Sequence, residues 1–281
     1  MQWCFSSNIL LNLVRFQLLL DVIVEMKLVS DNNDSLVSIV MPTYNSEKTV
    51  SESIQSVRSQ TYKNWELIIV DDRSTDNTWK VIQTYADKYD NIHVYQNKEN
   101  LGAGASRNFA IKKAKGRFIA FLDSDDLWME NKLSEQIPFM IENGYPLTYT
   151  HYTRFNGTGE LNVVTAPEYI TYNKLIYSNV IGCLTAVYDT KSLGKRYMPL
   201  IRKRQDMGLW LDILKDTPKA YCLPKPLAKY RMDTGMTANK LTVLSYQWRF
   251  YRDVVGLSLP KSLFTFAVYA VKGTMKHRSK R

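Results

Sequence analysis

Cysteine and histidine are scarce, with three of each in 281 residues. Cys4, Cys183 and Cys222 lie far apart and are odd in number, which argues against a disulfide framework and fits a reducing compartment. His93, His151 and His277 show no paired ligand spacing, which argues against a zinc site. Long apolar runs are missing too. The first apolar run, residues 9–26, is interrupted by Arg15, Asp21 and Glu25, whereas a bilayer-crossing helix needs roughly 20 predominantly apolar residues. It also lacks the basic n-region and small-residue cleavage site of a secretory leader. Leu10, Leu13, Val14, Leu18 and Val22 recur at near-helical spacing, so residues 1–35 are expected to be an extension: an amphipathic helix, or a stretch upstream of a true start at Met26. Glycine, at 12 residues, nowhere builds a phosphate loop. Gly102-Ala103-Gly104 lacks the third glycine of a dinucleotide fingerprint and follows the third strand, which argues against a dehydrogenase. Pro42-Thr43-Tyr44-Asn45 offers no glycine-rich basic loop after the first strand, which argues against a nucleotidyltransferase.

What is present supports a folded body. Hydrophobic residues make up 45%, charged residues 23% and aromatics 12%, enough to bury a core. The length fits one large domain or two small ones, and no internal repeat or low-complexity linker divides it. Lys and Arg total 37 against 27 Asp and Glu; the formal charge of +10 implies an anionic partner, whether nucleic acid, a membrane surface or a phosphorylated substrate. The excess is uneven. Residues 261–281 contain Lys261, Lys272, Lys276, Arg278, Lys280 and Arg281 and no acid, so six of the ten excess charges sit there. Leu263, Phe264, Phe266, Ala267, Tyr269, Ala270 and Val271 precede that cluster. The pattern predicts that residues 241–281 form basic amphipathic helices in the headgroup region of an anionic leaflet, with no role for nucleic acid, the alternative being a docking helix with a solvated basic tail.

Between residues 36 and 122, short apolar runs alternate with helical patterns, the signature of a parallel α/β sheet. The runs are residues 37–41, 65–70, 92–95 and 118–122, the last apolar throughout as expected of a strand covered on both faces. Three polar clusters follow strands: Pro42-Thr43-Tyr44-Asn45, Asp71-Asp72-Arg73-Ser74-Thr75-Asp76 and Asp123-Ser124-Asp125-Asp126. Ligands of open parallel sheets bind outside the carboxyl ends of strands, so the clusters are expected to converge on one nucleotide-binding crevice. After Asp126 the regularity fades. A helix over 130–143, a strand over 147–152, a loop-rich stretch to Val180, a strand over 183–188 and a helix over 205–214 predict a second half with fewer sheet repeats.

Three carboxylates within four residues repel one another unless a cation or donors compensate them. Asp123 and Asp125 share a side if strand geometry persists through the cluster. A hard divalent ion, Mn²⁺ or Mg²⁺, bridged to substrate phosphates is the simplest compensation, and it would offset charge on a departing diphosphate. The alternative is an Asp-rich turn that caps the next helix.

Ser38-Ile39-Val40-Met41-Pro42-Thr43-Tyr44-Asn45, Val70-Asp71-Asp72-Arg73-Ser74-Thr75-Asp76, Asn100-Leu101-Gly102 with Ala105-Ser106-Arg107-Asn108, and Phe121-Leu122-Asp123-Ser124-Asp125-Asp126 stand in an order and spacing that resemble glycosyltransferase family 2, the inverting enzymes of the GT-A fold. The resemblance runs from about Leu36 to Lys240. It implies an α/β fold: a mostly parallel, Rossmann-like nucleotide-sugar-binding sheet over 36–128 flanked by helices, and a smaller acceptor-binding half over 129–240. It implies transfer of a sugar from a nucleotide-diphosphate donor, most often UDP, to an acceptor hydroxyl with inversion. Thr43 and Tyr44, with neighbouring Pro42 and Asn45, would line the base and ribose pocket together with Asp71 and Asp72; Arg107 would face the phosphates. Asp123 and Ser124 would lie near the ribose, with Asp123 also near the metal and Asp125 its direct ligand.

Inversion requires a base opposite the leaving group. In the family that base is an Asp in a Glu-Asp-like motif ahead of a helix, which Gln205-Asp206 resembles, with Gln in place of Glu; Asp206 is the implied base, the rival being a helix cap. Tyr230-Arg231-Met232-Asp233 resembles the segment where relatives carry a metal-binding His, which makes Asp233 a third implied ligand. Family habits and the basic tail together imply a polyprenyl-diphosphate-linked saccharide acceptor in O-antigen, capsule or exopolysaccharide assembly, and a cytoplasmic enzyme peripheral on the inner face of the membrane.

Overall fold

The computed structural model describes residues 34–232 and 240–278, with side chains described over 34–232 and 244–271. The expected extension up to residue 33, Asp233 and the side chains of the basic cluster from Lys272 onward lie outside the described residues.

The four apolar runs form β1 (Val37–Thr43), β2 (Trp65–Asp71), β3 (Ile92–Gln96) and β4 (Phe118–Phe121). Every residue of β1, β2 and β4 is buried, because α1 (Val50–Arg58), α2 (Thr78–Ala86) and α3 (Ala103–Lys113) cover the sheet. β1 pairs in parallel with β2 and β4, and β2 with β3.

Beyond Asp126 the sheet does not fade, contrary to the expectation from sequence. β5 (Leu127–Trp128), β6 (Leu147–Asn156), β7 (Gly159–Val164), β8 (Tyr169–Ile170), β9 (Val187–Asp189) and β10 (Ala220–Arg231) supply six of its ten described strands. The order is β3-β2-β1-β4-β9-β6-β10-β5, with β7 on β6 and β8 on β10. Both halves therefore share one sheet, joined where β4 meets β9 antiparallel. β10 went unpredicted because Pro224 and Pro226 interrupt it; its pairing with β6 shifts register between Leu223, Pro226 and Ala228, the irregularity at which a strand tolerates proline. The strand expected over 183–188 is instead a 3₁₀ turn, Cys183–Thr185, followed by β9.

The helices of this half are α4 (Lys132–Asn143), α5 (Tyr172–Leu175), α6 (Thr190–Leu193) and α7 (Gln205–Asp216). α7 buries Trp210 completely against Phe121 at the end of β4, with ring centroids 5.5 Å apart at 79°. α8 (Lys240–Arg249), a π-helical turn (Phe250–Val254) and α9 (Leu259–Arg278) close the described chain. No helix of the described residues is long and apolar enough to cross a membrane.

Lys132 is fully buried, and its Nζ donates to Gln136 Oε1 at 2.5 Å and to the Thr185 carbonyl at 3.2 Å, tying α4 to the 3₁₀ turn. Burial pushes its pKa down from 10.5 to about 7. Below that value both folded and unfolded chains carry the charge and the burial penalty is full; between the two values folding releases a proton, so this residue's contribution to stability rises with pH. Urea unfolding of Lys132→Met beside the wild type should therefore give a stability difference most favourable to the variant near about pH 6 and shrinking toward about pH 10; a difference independent of pH would show that Lys132 is not held neutral.

Candidate active site

The loops after β1, β2 and β4 meet and are hydrogen-bonded to one another. Ser46 and Ser124 share a hydroxyl contact of 2.9 Å, the Asn45 amide donates to Ser74 Oγ at 2.9 Å, and the Thr75 amide donates to Asn45 Oδ1 at 2.8 Å. Asn45 and Arg73 reach these contacts with positive φ, 48° and 64°, a region a non-glycine residue occupies at some cost. Thr43 is buried and its Oγ1 has no hydrogen-bond partner among the described residues, whereas Tyr44 is exposed.

Asp71 and Asp72 are both buried. Asp71 accepts from the Ser74 hydroxyl at 2.5 Å, the Ser74 amide at 3.1 Å and Gln96 Nε2 at 2.9 Å. Asp72 accepts from Asn97 Nδ2 at 2.7 Å and from the amides of Leu101 and Gly102 at 2.8 and 2.7 Å. It thereby fixes the turn into α3, where Gly102 supplies the φ of +89° that an L side chain resists.

Strand geometry does not persist through Asp123-Ser124-Asp125-Asp126, so alternation is not what orients these acids. β4 ends at Phe121, and a turn closed by the Asp126 amide donating to the Asp123 carbonyl, 3.1 Å, leads into β5. The turn caps no helix. It buries Asp126 and leaves Asp123 and Asp125 partly exposed. Burial, then Asp123 and Asp125, push the Asp126 carboxyl well above the usual range, while the Arg231 amide donates to it at 2.9 Å. Arg231 also donates from Nε to the Asp125 carbonyl at 2.7 Å, from Nη2 to Glu52 at 2.5 Å, and stacks over Phe155. β10 thus ends against the acidic turn, two residues before Asp233.

Arg107, on α3, is buried between the two halves. Its guanidinium donates to Asp123 Oδ1 and, at 3.1 Å, to Gln205 Oε1, while Nε lacks a partner among the described residues. Asp123 raises its pKa despite burial. Gly104 permits this approach, since a Cβ there would lie 2.8 Å from the Gln205 side chain. Gln205 opens α7, and Asp206 follows in its first turn, not at the cap, which is Arg204. Asp206 Oδ2 accepts from Asn179 Nδ2 at 2.7 Å. Burial raises the Asp206 carboxyl above its ordinary range; the Met207 amide, Arg107, Arg204 and Asn179 restrain the rise. Cys183 sits in the same field, its thiol pushed well up by burial with Arg107 opposing.

The structure so brings the loops that carry Thr43, Asn45, Asp71, Asp72, Asp123, Ser124 and Asp125 together, and Arg107 joins Asp123 to Gln205, the residue before Asp206. Sequence reasoning missed Asn179, Cys183 and Arg231 as neighbours of these acids. Arg231 adjoins a segment already singled out; Asn179 and Cys183 carry no local signal. Among the described residues no cluster of three or more His, Cys, Asp and Glu stands in metal-binding geometry.

This crevice at the carboxyl end of a parallel sheet, with its acidic turn, is the arrangement of a GT-A glycosyltransferase. The model of glycosyl transferase family 2 matches residues 38–197, more than half of the chain, ending short of Asp206; the chain belongs to that family and is a glycosyltransferase. It is 42% identical over 247 residues to the UDP-Glc:alpha-D-GlcNAc-diphosphoundecaprenol beta-1,3-glucosyltransferase WfgD of Escherichia coli, covering 87% of this chain and 96% of that one. Identity to the E. coli enzyme WfaP, whose name states the same activity, is 36% over 243 residues, covering 86% and 95%. The crystal structure of S. aureus TarS 1-349 in complex with UDP-GlcNAc superposes with a TM-score of 0.64 at 26% identity, over 83% of this chain and 71% of that chain.

Replacing Arg107 with Met leaves Asp123 and Gln205 without their shared donor. Urea unfolding should show a loss of about 3 kcal/mol, with Arg107→Lys recovering only part of it because an ammonium cannot fork to both partners. Wild-type stability of Arg107→Met would show that the bridge does not hold the halves together.

Proposed function

We propose that this glycosyltransferase moves a sugar from UDP to a hydroxyl of a polyprenyl-diphosphate-linked saccharide, with inversion, in the assembly of an O-antigen, capsule or related polysaccharide. The observation that carries the reading is the bridge from Asp123 through Arg107 to Gln205: it ties the acidic turn to the first turn of α7, which carries Asp206. The names of WfgD and WfaP support the acceptor class, and the UDP-GlcNAc complex of TarS supports the donor class.

In this reading residues 36–128 bind the donor and 129–240 the acceptor. Uracil N3–H needs an acceptor, which Asp71 supplies. Thr43 Oγ1, buried and without a partner, offers a further polar contact to the base or ribose, beside Pro42, Tyr44, Asn45 and Ser124. Asp72 acts by fixing the turn that walls the pocket. Arg107 holds Asp123 in place and presents positive charge toward the diphosphate. Asp125 and Asp123 are partly exposed carboxylates two residues apart, hard oxygen donors of the kind that fit a divalent ion. Mn²⁺ or Mg²⁺ held by Asp125 and Asp123 would stabilise the leaving diphosphate, with Asp233 a further candidate ligand outside the described residues.

Asp206 takes the proton of the attacking hydroxyl. Its raised pKa makes it a better base than a solvated aspartate, and Asn179 fixes its orientation. Asp206→Asn should lower turnover by roughly 10²-fold or more while UDP affinity, measured by titration calorimetry, stays near wild type; undiminished turnover would remove Asp206 from the role. Because the base acts when ionised, kcat/KM falls as pH drops through a value above the 3.8 of an ordinary aspartate. Asn179→Ala removes a donor that favours the ionised form, so its acid limb should move to higher pH.

α9 supports the membrane reading by its polarity. Leu259, Leu263 and Phe264 are 54%, 56% and 64% exposed, whereas Ser262 and Thr265 face the body at 0% and 5%. Phe266 packs on Trp248 and the core, so α9 is anchored on that side while Leu259, Leu263 and Phe264 stay outward, an exposed apolar strip that suits a leaflet surface. In flotation with phosphatidylglycerol vesicles, Leu263→Glu/Phe264→Glu should stay at the bottom of the gradient while the wild type floats; equal flotation would end the membrane reading of this face.

A further inference from the structure

A cavity of ≈ 260 Å³ opens between residues 200–203 and the end of α8 with its π-helical turn. Its charged lining is Arg202, Lys203, Arg249 and Asp253, a net of +2. Among the described residues Asp253 pairs only with Arg249, at 3.6 Å. Arg202 and Lys203 have no carboxylate partner among the described residues, and Lys203 Nζ lies 5.4 Å from the centroid of the Tyr246 ring. Leu200, 75% exposed, and Phe250 supply an apolar border.

The segment that carries the two free cations is held at both ends. The Asn108 side chain donates to the Met198 carbonyl at 2.8 Å and accepts from the Met198 amide at 2.7 Å. Gln205 Nε2 donates to the Ile201 carbonyl at 2.5 Å, so the residue that meets Arg107 also positions this wall. Arg204, at φ 69°, turns the chain into α7 and donates to the Tyr269 hydroxyl of α9 at 2.5 Å. The cavity therefore lies three residues from Asp206 along the chain, and it is fastened to the helix whose apolar side chains face outward.

Two adjacent cations without a carboxylate partner among the described residues, on a segment held at both ends beside an apolar border, suit a compact multivalent anion attached to a hydrocarbon. The donor's own diphosphate is a poorer fit, because its proposed seat is the acidic turn on the far side of Arg107. We propose that this cavity binds the diphosphate of the lipid-linked acceptor, with Arg202 and Lys203 as its ligands and the lipid leaving along α9. The proposal rests on the acceptor class given above and adds the subsite that recognises it.

The test uses octyl diphosphate, titrated calorimetrically into the full-length protein saturated with UDP and Mn²⁺. Octyl diphosphate should bind, octyl phosphate more weakly, and Arg202→Ala/Lys203→Ala should lose roughly tenfold or more in octyl diphosphate affinity, since each charge-assisted contact is strong. UDP affinity should be unchanged in the variant, which also reports that it folds, and Lys203→Gln alone should show an intermediate loss. Equal octyl diphosphate affinity in wild type and double variant would overturn the proposal, as would absence of octyl diphosphate binding to the wild type. Loss of phosphatidylglycerol vesicle binding in the double variant with octyl diphosphate affinity retained would overturn it in favour of a lipid headgroup. If UDP itself does not bind, the donor reading fails separately, and titration of the nucleotide-free protein decides the cavity by the same criteria.

Discussion

One guanidinium sets the geometry on which the site depends. Three carboxylates crowd the turn after β4, where burial, then the charges of Asp123 and Asp125, raise the Asp126 carboxyl. Arg107 offsets it from the side, buried and charged, with Asp123 holding the proton on. The same guanidinium reaches Gln205, so the charge that stabilises the donor rim also places the first turn of α7. A buried cation with two partners tolerates little displacement of either, because moving one leaves a desolvated charge unmatched. Trp210 packed on Phe121 supports the same registry with apolar contact one turn further along α7.

The distribution of charge and polarity continues this logic outward. From the acidic turn the sign changes at Arg107, stays basic through Arg202, Lys203 and Arg204, and reaches α9 through the Arg204 contact with Tyr269. α9 then buries Ser262 and Thr265 and packs Phe266 on Trp248, while Leu259, Leu263 and Phe264 stay exposed. Each exposed leucine or phenylalanine forgoes burial worth roughly 1.5–3 kcal/mol. An apolar surface next to α9 would recover it.

How much of this was legible in the sequence follows from what each residue contacts. β1, β2 and β4 announced themselves because burial on both faces demands continuous apolar runs, and the three polar clusters were legible because they interrupt those runs at the strand ends. The convergence of the loops was anticipated, but Ser46, Ser74 and Asn45, which hold them together, were not, since hydrogen bonds across nearly thirty residues or more leave no local pattern. β10 was hidden by Pro224 and Pro226, whose lost donors are absorbed at a register shift. The strand alternation assumed for Asp123 and Asp125 failed because a turn begins directly after β4. Asn179 and Cys183 approach the acids only through the tertiary path of the loop before β9.

That path constrains how the two carboxylates of the proposed reaction can move. β4, which ends just before Asp123, pairs with β9, which directly follows the 3₁₀ turn carrying Cys183; Asn179, four residues before Cys183, holds Asp206. A shift of Asp206 away from the acidic turn would thus strain β4–β9 pairing, the Arg107 bridge and the Phe121–Trp210 contact together, three interactions that no ordinary substrate-binding energy disrupts at once. Adjustment to substrates must then come from the parts outside this frame. Residues 198–204 are not among them, since Met198 is buried in the core with Phe250 and Tyr251 of the π-helical turn, and Asn108 and Gln205 hold the segment by side-chain hydrogen bonds.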